Sequence, residues 1–510
     1  MTLRRLYCVS ILLAAAISAA GQEGETYLLS NRAFLDTFQG RTAYAELAAR
    51  KDDGGLISLS QSPDSYLTGV TTESFIRTSG NVTFYGKMSW NYFQGKDMGG
   101  QILMDPEYNP VNFLESTDTT RGTKKRETYN LKGGLSYRLG RRWAVGAGID
   151  YTSADQTKIK DPRFSSIWMD VNASAGIMFR ATRKFMLGAS FTFRNTLEQL
   201  RGGIYGTTDK QYFILTDKGG FFGTVAELAG DYNSISVNNS RPMYNRFYGA
   251  SFQAVVGEYF SSEFRARRRT GYYGRRSSST ATFFEFSGFD LGFSGKVMVP
   301  FGASRHKAFL NAWAETISNS ENKFKYITPT GQSTVVQYTG QDRIYSSSGI
   351  FTEFGYEWKY GSVFALGLSG KTRMRSSKTT LYPFWRLRSD TFAEADLWGR
   401  YTFAAGKCSI TAEAHALAGM GSGVPNNDGS EIEAASTVIR SFDLYLNKQF
   451  EYDTATRAGG AFAVTCTLPA FGKVIPYVKL GDQYITLLSA PQYLEGGERN
   501  TATITLGCNF

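Results

Sequence analysis

Most of this 510-residue chain alternates apolar and polar residues with a period of two. Residues 81–93 show the pattern clearly, with an apolar face made of Val82, Phe84, Met88, Trp90 and Tyr92. Residues 127–139 and 142–152 repeat it, and helical spacing is hard to find. Because successive side chains of a β-strand point to opposite faces, the alternation predicts an all-β fold whose strands each carry one apolar face.

The first residues predict export. Arg4 and Arg5 form a basic region, residues 11–18 are apolar, and residues 18–20 are a small-residue cleavage site. This layout is typical of a secretory signal peptide, which we expect over residues 1–21. No later stretch has about 18 or more consecutive apolar residues, so we expect no membrane-spanning helix.

Short turns alternate with long polar connections along the chain. We expect short turns at 79–80, 140–141, 181–183, 360–361 and 404–406, and long connections at 94–125, 154–166, 196–244, 319–344 and 483–499. This layout is typical of a transmembrane antiparallel up-and-down β-barrel with short periplasmic turns and long extracellular loops. Each unsatisfied N–H or C=O in hydrocarbon costs several kcal/mol, so the strands must close into a complete barrel.

The strand count has to be settled between two alternatives. About nineteen segments fit transmembrane strands, whereas bacterial single-chain barrels have an even number. Either residues 380–389 form a further strand, or one of the segments 41–50, 260–271 and 436–449 is loop or rim. We expect about 18 strands, within a range of about 16 to 20, in a barrel of residues 41–510. A short periplasmic segment, residues 22–40, precedes it.

Composition favours this barrel over a soluble β-sandwich. Aromatic residues make up 15% of the chain, and the last residue is itself aromatic, Phe510. Outside the expected signal peptide, the cysteines are Cys408, Cys466 and Cys508. They fall on outward strand faces, which predicts neither a disulfide framework nor a metal site. Lys and Arg outnumber Asp and Glu by 56 to 45, an excess that suits an anionic lipid surface or an anionic solute.

Two stretches carry a resemblance to known proteins. The final strand "TITLGCNF", ending in Phe510, resembles the C-terminal signal that marks Gram-negative outer-membrane proteins for the barrel-assembly machinery. The chain from "TYLLSNRAFLDTFQGRTAYAELAAR" through "GKMSWNYF" to this strand resembles an uncharacterised family of Bacteroidota outer-membrane β-barrels. The resemblance implies the outer membrane of a Gram-negative bacterium as location and the assembly machinery as a partner. It implies no activity.

Catalytic chemistry finds little support in the residues. The only histidines are His306, beside a predicted turn, and His415, which shares a polar strand face with Glu413. Such a pair is more often structural than catalytic. The sequence contains no nucleophile elbow, phosphate-binding loop or zinc-protease motif. We therefore expect a protein that is not an enzyme, with no catalytic residue, metal or cofactor.

One basic stretch stands out, "FRARRRTGYYGRR". Arginine on the lipid face costs about 2 to 4 kcal/mol near the bilayer midplane and little at the interface. The arginines should therefore lie in the lumen or above the membrane, where they would bind an anionic solute or lipid A phosphates, or form a solvated basic rim. They are Arg265, Arg267, Arg268, Arg269, Arg275 and Arg276.

A further set of residues is expected to face the lumen with mixed charge. Barrels of about 16 to 18 strands are wide enough for an aqueous channel unless loops plug them, and loop 196–244 is a candidate lid. The N-terminal segment is too short for a folded plug and could thread only partway into the lumen. The predicted lumen-facing residues are Lys87, Lys132, Asp150, Asp170, Arg194, Glu353, Glu357, Lys371, Arg373 and His415.

Three functions remain open from the residues. The first is a channel or uptake component for an unidentified solute. The second is a non-conducting barrel that docks or assembles with surface lipoproteins or a separate transporter, which aromatic-rich loops would suit. The third is a hydrophobic-solute uptake channel. In each case we expect contacts with outer-membrane lipid and lipid A, and no nucleic acid partner.

Overall fold

A computed structural model describes residues 30–38, 40–78, 80–104, 109–115, 117–206, 210–228, 241–429 and 439–510. Of its strands, 18 form one antiparallel sheet. The sheet closes on itself because the first strand pairs with the last, from Tyr44 opposite Asn509 to Asp53 opposite Asn500. The predicted closed barrel is confirmed, and so is its expected strand number.

The strands and helices are numbered in chain order. A 3-10 helix spans Arg32–Thr37, a second spans Asp118–Thr120, and the helix α1 spans Asp443–Thr454. No helix among the described residues is long and apolar enough to cross a membrane. The strands are β1 (Arg41–Asp53), β2 (Asp64–Arg77), β3 (Val82–Met98), β4 (Asn112–Glu115), β5 (Gly122–Leu139), β6 (Trp143–Lys158), β7 (Arg163–Arg180), β8 (Phe185–Gly203), β9 (Phe213–Asp217), β10 (Phe222–Glu227), β11 (Arg241–Val256), β12 (Phe260–Gly274), β13 (Thr282–Phe301), β14 (Ser304–Ile327), β15 (Val335–Tyr360), β16 (Phe364–Leu381), β17 (Phe384–Ala405), β18 (Cys408–Asp428), β19 (Ile439–Ser441), β20 (Arg457–Thr467), β21 (Ile475–Leu487) and β22 (Glu498–Asn509). All but β4, β9, β10 and β19 belong to the barrel.

The two faces of the barrel wall differ as the alternation predicts. On β5, Tyr129, Leu131 and Leu135 point outward and are exposed, whereas Asn130 and Ser136 point inward and are buried. Soluble monomers rarely expose apolar patches beyond a few hundred Å². An apolar outer surface around a closed barrel therefore fits a hydrocarbon environment, in which closure leaves the wall without an unpaired strand edge.

The four uncertain segments now have an assignment. The segment 436–449, one of the three that could be loop or rim, is not a barrel strand: its described part contains β19, which lies outside the barrel sheet, and the beginning of α1. Residues 380–389 do not form a strand of their own, because Tyr382 and Pro383 make a turn between β16 and β17. Proline has no N–H to donate and cannot continue a central ladder. The segments 41–50 and 260–271 lie within the barrel strands β1 and β12.

The barrel has a turn end and a loop end. At the turn end, Gly140, Gly361 and Gly406 have φ angles of 69°, 54° and 64°, the left-handed conformation that tight turns require. At the loop end the strands extend further than predicted. Pairing of β14 with β15 continues to Ile327 opposite Val335, so most of the predicted connection 319–344 is sheet.

Residues 30–38, called the plug segment below, lie inside the barrel near the turn end. Their 3-10 helix is buried from Arg32 to Asp36. The side chain of Asn31 donates to the carbonyl oxygens of Ile177 and Ala189 at 3.1 and 3.2 Å. These residues are part of the segment 22–40 that we expected in the periplasm, and residues 22–29 and 39 lie outside the described residues.

Glycine in the wall makes room for the plug segment. A Cβ atom on Gly146 would lie 2.1 Å from the backbone nitrogen of Ala33 and 2.3 Å from the carbonyl carbon of Arg32. Both are backbone atoms and cannot rotate away. The close approach of the segment to β6 therefore depends on the absence of a side chain at this position.

Replacing Gly146 by alanine should displace the plug segment and leave the barrel closed. Amide hydrogen exchange over residues 31–38 should become about tenfold faster or more, because local opening no longer has to break the close packing. The matched control is Gly133→Ala, where a Cβ would meet its nearest atom, on Ile149, at 3.8 Å. Equal protection in the Gly146→Ala variant and the wild type would contradict this packing.

Candidate functional site

The loop end of the lumen is covered by a small folded unit, called the lid below, made of β4, β9, β10, β19 and α1. Its four strands form a separate sheet in the order β19, β10, β9, β4. The helix joins this sheet through the hydroxyl of Tyr445, which donates to the carbonyl oxygen of Glu115 at 3.0 Å. The described part of the predicted lid loop 196–244 supplies β9 and β10, and both fold inward.

The lid shares a hydrophobic core with the barrel wall. Three lid side chains, Phe113, Ile214 and Phe222, are buried in one cluster with inward-facing residues of the wall. The wall contributes side chains from β11, β12 and β13, among them Met243, Tyr273, Phe284 and Phe286. Apolar burial therefore seats the lid against one side of the lumen.

A buried ion pair anchors the lid to β6. Glu115, at the end of β4, pairs with Lys158, and each side chain is only 1% exposed. Thr120 donates a further hydrogen bond to the same carboxylate. Removing one partner of such a pair leaves an uncompensated buried charge and costs about 3 to 5 kcal/mol.

A second anchor, the arginine anchor, holds α1 to β16 and β17. Asp453 is 2% exposed, and its carboxylate lies 3.0 Å from Arg373, 3.2 Å from Arg375 and 3.2 Å from Arg388. Asp390 lies close to the same guanidiniums, 3.3 Å from Arg375. Burial alone would raise the pKa of Asp453, but the three guanidiniums lower it to about 2. The carboxylate is therefore charged at every physiological pH.

The two anchors lie on opposite sides of the barrel. Eight barrel strands separate β6 from β17 in either direction around the wall. The lid consequently spans the whole mouth and is held at both sides by ion pairs. A charged solute can replace one charged partner of an ion pair, whereas it cannot replace an apolar side chain in a hydrophobic core.

The tip of the lid contains a buried carboxylate with a shifted pKa. Asp217, at the turn between β9 and β10, accepts hydrogen bonds from the backbone N–H of Gly219 at 2.9 Å and of Phe222 at 3.2 Å. Burial raises the pKa of Asp217 to about 6, against the lowering effect of these two bonds and of Arg388 and Arg386.

The structure does not bring the six predicted arginines together. Arg265, Arg267 and Arg269 occupy the inward face of β12, Arg268 faces outward, and Arg275 and Arg276 lie exposed in the connection that follows. Arg276 pairs with Glu285 at 3.1 Å.

The inward arginines of β12 have partners within the wall. Arg267 pairs with Asp290 at 2.7 Å, and Arg269 donates to the side-chain oxygen of Asn245 at 2.8 Å. Both guanidiniums lie over the ring of Phe247, at 4.7 and 5.5 Å from its centroid. They form a basic strip on the lumen wall below the lid.

All ten residues predicted to face the lumen lie on inward strand faces, but they do not form one site. His415 lies between Asp396 and Glu413, at 3.1 and 3.0 Å. Arg373 alone belongs to the arginine anchor. The others are distributed over seven strands: Lys87 on β3, Lys132 on β5, Asp150 on β6, Asp170 on β7, Arg194 on β8, Glu353 and Glu357 on β15, and Lys371 on β16. Among the described residues, no group of three or more His, Cys, Asp or Glu side chains could hold a metal ion.

Sequence reasoning missed most of the anchor residues. Glu115 and Lys158 fell in predicted connections, and Asp453 lies in α1, whose first part was counted among the candidate strands. One signal was available: "RMR" at 373–375 and "RLR" at 386–388 place pairs of arginines on one face of neighbouring strands. Such a concentration of buried cations requires an anion from elsewhere in the chain.

Replacing Asp453 by asparagine should release α1, because three arginines then share a single carboxylate, Asp390. The expected loss is about 3 to 5 kcal/mol, or amide exchange in α1 that is faster by about two to four orders of magnitude. The control is Asp342→Asn, which breaks an exposed pair with Lys323 and should change the exchange in α1 very little. Unchanged exchange in the Asp453 variant would show that the anchor does not hold the lid.

The lid hairpin should lose stability as the pH rises from about 4 to about 6. The pKa of Asp217 is raised in the folded lid, so the folded state binds more protons than the unfolded state across that window. Exchange of residues 213–227 should therefore accelerate with pH more than intrinsic exchange does. Asp217→Asn keeps the acceptor oxygen and should remove this excess, and an identical pH profile in the two proteins would contradict the assignment.

Solved structures similar to this chain are β-barrel receptors and importers. The ferric enterobactin receptor PfeA from Pseudomonas aeruginosa is 9% identical with a TM-score of 0.40, over 92% of this chain and 81% of that chain. The siderophore receptor PiuA from Acinetobacter baumannii is 7% identical with a TM-score of 0.39, over 93% and 82%. The RagAB peptide importer is 9% identical with a TM-score of 0.37, over 92% and 75%.

The sequence comparisons give a family without an assigned activity. No curated protein matches the chain. A family of unknown function, DUF6850, matches residues 33–510, which is nearly the whole chain. The protein therefore belongs to the DUF6850 family of unknown function.

Proposed function

We propose that the protein is an outer-membrane barrel that takes up a polar solute, with anions favoured, when its lid leaves the lumen. The membrane placement is supported by the apolar outward faces and the terminal strand, together with the signal peptide that the sequence predicts over residues 1–21. The backbone N–H of Phe510 donates to the carbonyl oxygen of Ala43 at 2.8 Å, so the C-terminus completes the barrel seam.

The single observation that carries the proposal is the lid on its two anchors. An 18-strand barrel is too wide for side chains to fill, and here the lid covers the loop end while the plug segment lies near the turn end. A permanently open channel would need neither. Ion pairs at opposite walls give a closed state that a charged solute can displace.

A preference for anions is supported by the wall that an opened lid would uncover. The guanidiniums of Arg373, Arg375 and Arg388 would lose Asp453, their buried counter-ion from the lid. The planar guanidinium fork binds carboxylate and phosphate groups in two-point contacts. An anionic solute would therefore replace the carboxylate of Asp453.

Detaching α1 from the lid sheet without changing the charge of the lid tests the proposal. The double variant Tyr445→Ala and Leu446→Ala removes two buried side chains of α1 that pack on Leu114 and Leu215. Each truncation costs about 2 to 5 kcal/mol. In planar bilayers the wild type should conduct little, and the variant should show frequent openings whose reversal potential in a salt gradient indicates anion preference.

The matched control is Leu444→Ala, on the same helix, where the side chain is 55% exposed. It should conduct like the wild type. A double variant that remains closed, with hydrogen exchange showing that α1 has been released, would contradict a gated channel. Cation-selective openings would contradict the preference for anions.

A second function has its own observation. Tyr205 and Tyr382 at the loop end are 73% and 91% exposed, and exposed aromatic residues are enriched at protein interfaces. These residues favour a non-conducting barrel that docks a surface lipoprotein or a separate transporter. A released lid without conductance, together with a stoichiometric partner recovered in mild detergent, would support this alternative. A hydrophobic-solute channel gains no support from the polar inward faces.

A further inference from the structure

The outer face of the barrel carries a polar depression where the apolar surface ends toward the loop end. It lies across β12 to β17 and has a cavity volume of about 590 Å³. On its turn side stand Phe289, Ile350 and Met374, all exposed and apolar. The depression is therefore at the border of the apolar belt.

Small hydroxyl side chains form the floor of the depression. Ser287 is paired with Ser318, and Ser318 with Ser346, across β13, β14 and β15. A second row runs from Thr316 to Ser348 and on to Ser376 of β16. Closer to the turn end, the outward positions of β13, β15 and β16 hold the large apolar side chains of Phe289, Ile350 and Met374. The depression exists because serine and threonine are smaller than these apolar side chains.

Three cations border the depression: Arg268 on β12, Arg343 on β15 and Lys378 on β16. All three are exposed, and no Asp or Glu lines the depression. Arg268 and Arg343 have no ion pair with a carboxylate of the described residues. Arginine is costly on a lipid face at the midplane but costs about 0 to 1 kcal/mol near the interface. This position is the level of phosphorylated headgroups.

We propose that this depression binds the phosphorylated sugar headgroup of an outer-leaflet glycolipid of the lipid A type. The arginines and the lysine supply charge-assisted hydrogen bonds to phosphate, and the hydroxyl groups hydrogen-bond to sugar. Strands are about 4.8 Å apart, so the cations on β12 and β16 are roughly 19 Å apart. That separation suits a headgroup that carries more than one phosphate. The proposal rests on placement in the outer membrane and does not require transport.

Replacing all three cationic residues by glutamine tests the site. The full-length barrel with Arg268→Gln, Arg343→Gln and Lys378→Gln is titrated with purified lipid A in detergent, and bound lipid is counted by native mass spectrometry. Affinity should fall by about tenfold or more, because the charge-assisted bonds are lost. The matched control changes three exposed cations of the turn end, Arg141, Arg183 and Lys473, to glutamine and should bind like the wild type.

Further probes distinguish the headgroup from other sources of phosphate. Dephosphorylated lipid A should bind the wild type as weakly as intact lipid A binds the triple variant. Phosphatidylglycerol or inorganic phosphate that bound as tightly as lipid A would overturn the glycolipid assignment. A folded triple variant with undiminished affinity for lipid A would overturn the site. None of these outcomes depends on the conductance of the lid variants, so this proposal and the uptake function can fail separately.

Discussion

Backbone hydrogen bonding is the constraint on which the structure depends. In hydrocarbon no water can pair with a free N–H or C=O, so the wall has to close, and pairing of β1 with β22 achieves this. Closure with 18 strands then creates a lumen too wide for side chains alone. The lid and the plug segment lie in that lumen. The lid has its own sheet and helix because buried backbone polar groups need partners there too.

The same kind of ion pair, a carboxylate among arginines, holds the plug segment at one end of the lumen and the lid at the other. Near the turn end, Asp36 of the plug segment lies among Arg77, Arg138 and Arg180, at 3.2, 2.8 and 3.1 Å. At the loop end, Asp453 lies among the three guanidiniums of the arginine anchor. In each case one buried carboxylate from the inserted chain is surrounded by three arginines of the wall. Such contacts fix the position of the inserted segment, and an anion can still replace its carboxylate. A purely apolar contact would not allow this replacement.

The barrel could be predicted from the sequence because alternation is a local signal with a physical cause. Leu131 and Leu135 face lipid and Asn130 and Ser136 face inward because the pleat has a period of two. The strand number followed from the even-number rule once one weak segment was discarded.

The lid could not be predicted in the same way. Its short strands, such as Asn112–Glu115 and Ile439–Ser441, carry too few residues for a period to be recognised. The pairing of Glu115 with Lys158 and of Asp453 with Arg373 joins residues far apart in the chain, and alternation says nothing about such contacts. Only the unbalanced arginines at 373–375 and 386–388 indicated that a carboxylate was missing from the wall.

The seating of the lid in the membrane-embedded protein is the central claim, and a spin-label distance tests it most directly. With Cys408, Cys466 and Cys508 replaced by serine, nitroxides are attached at position 444 on α1 and at position 382 on the rim. Pulsed electron paramagnetic resonance in lipid vesicles then gives the distribution of distances between the two nitroxides. A lid anchored at opposite walls predicts a single narrow population in the absence of solute. A broad distribution would contradict it, because the helix would then have no fixed position in the mouth of the barrel.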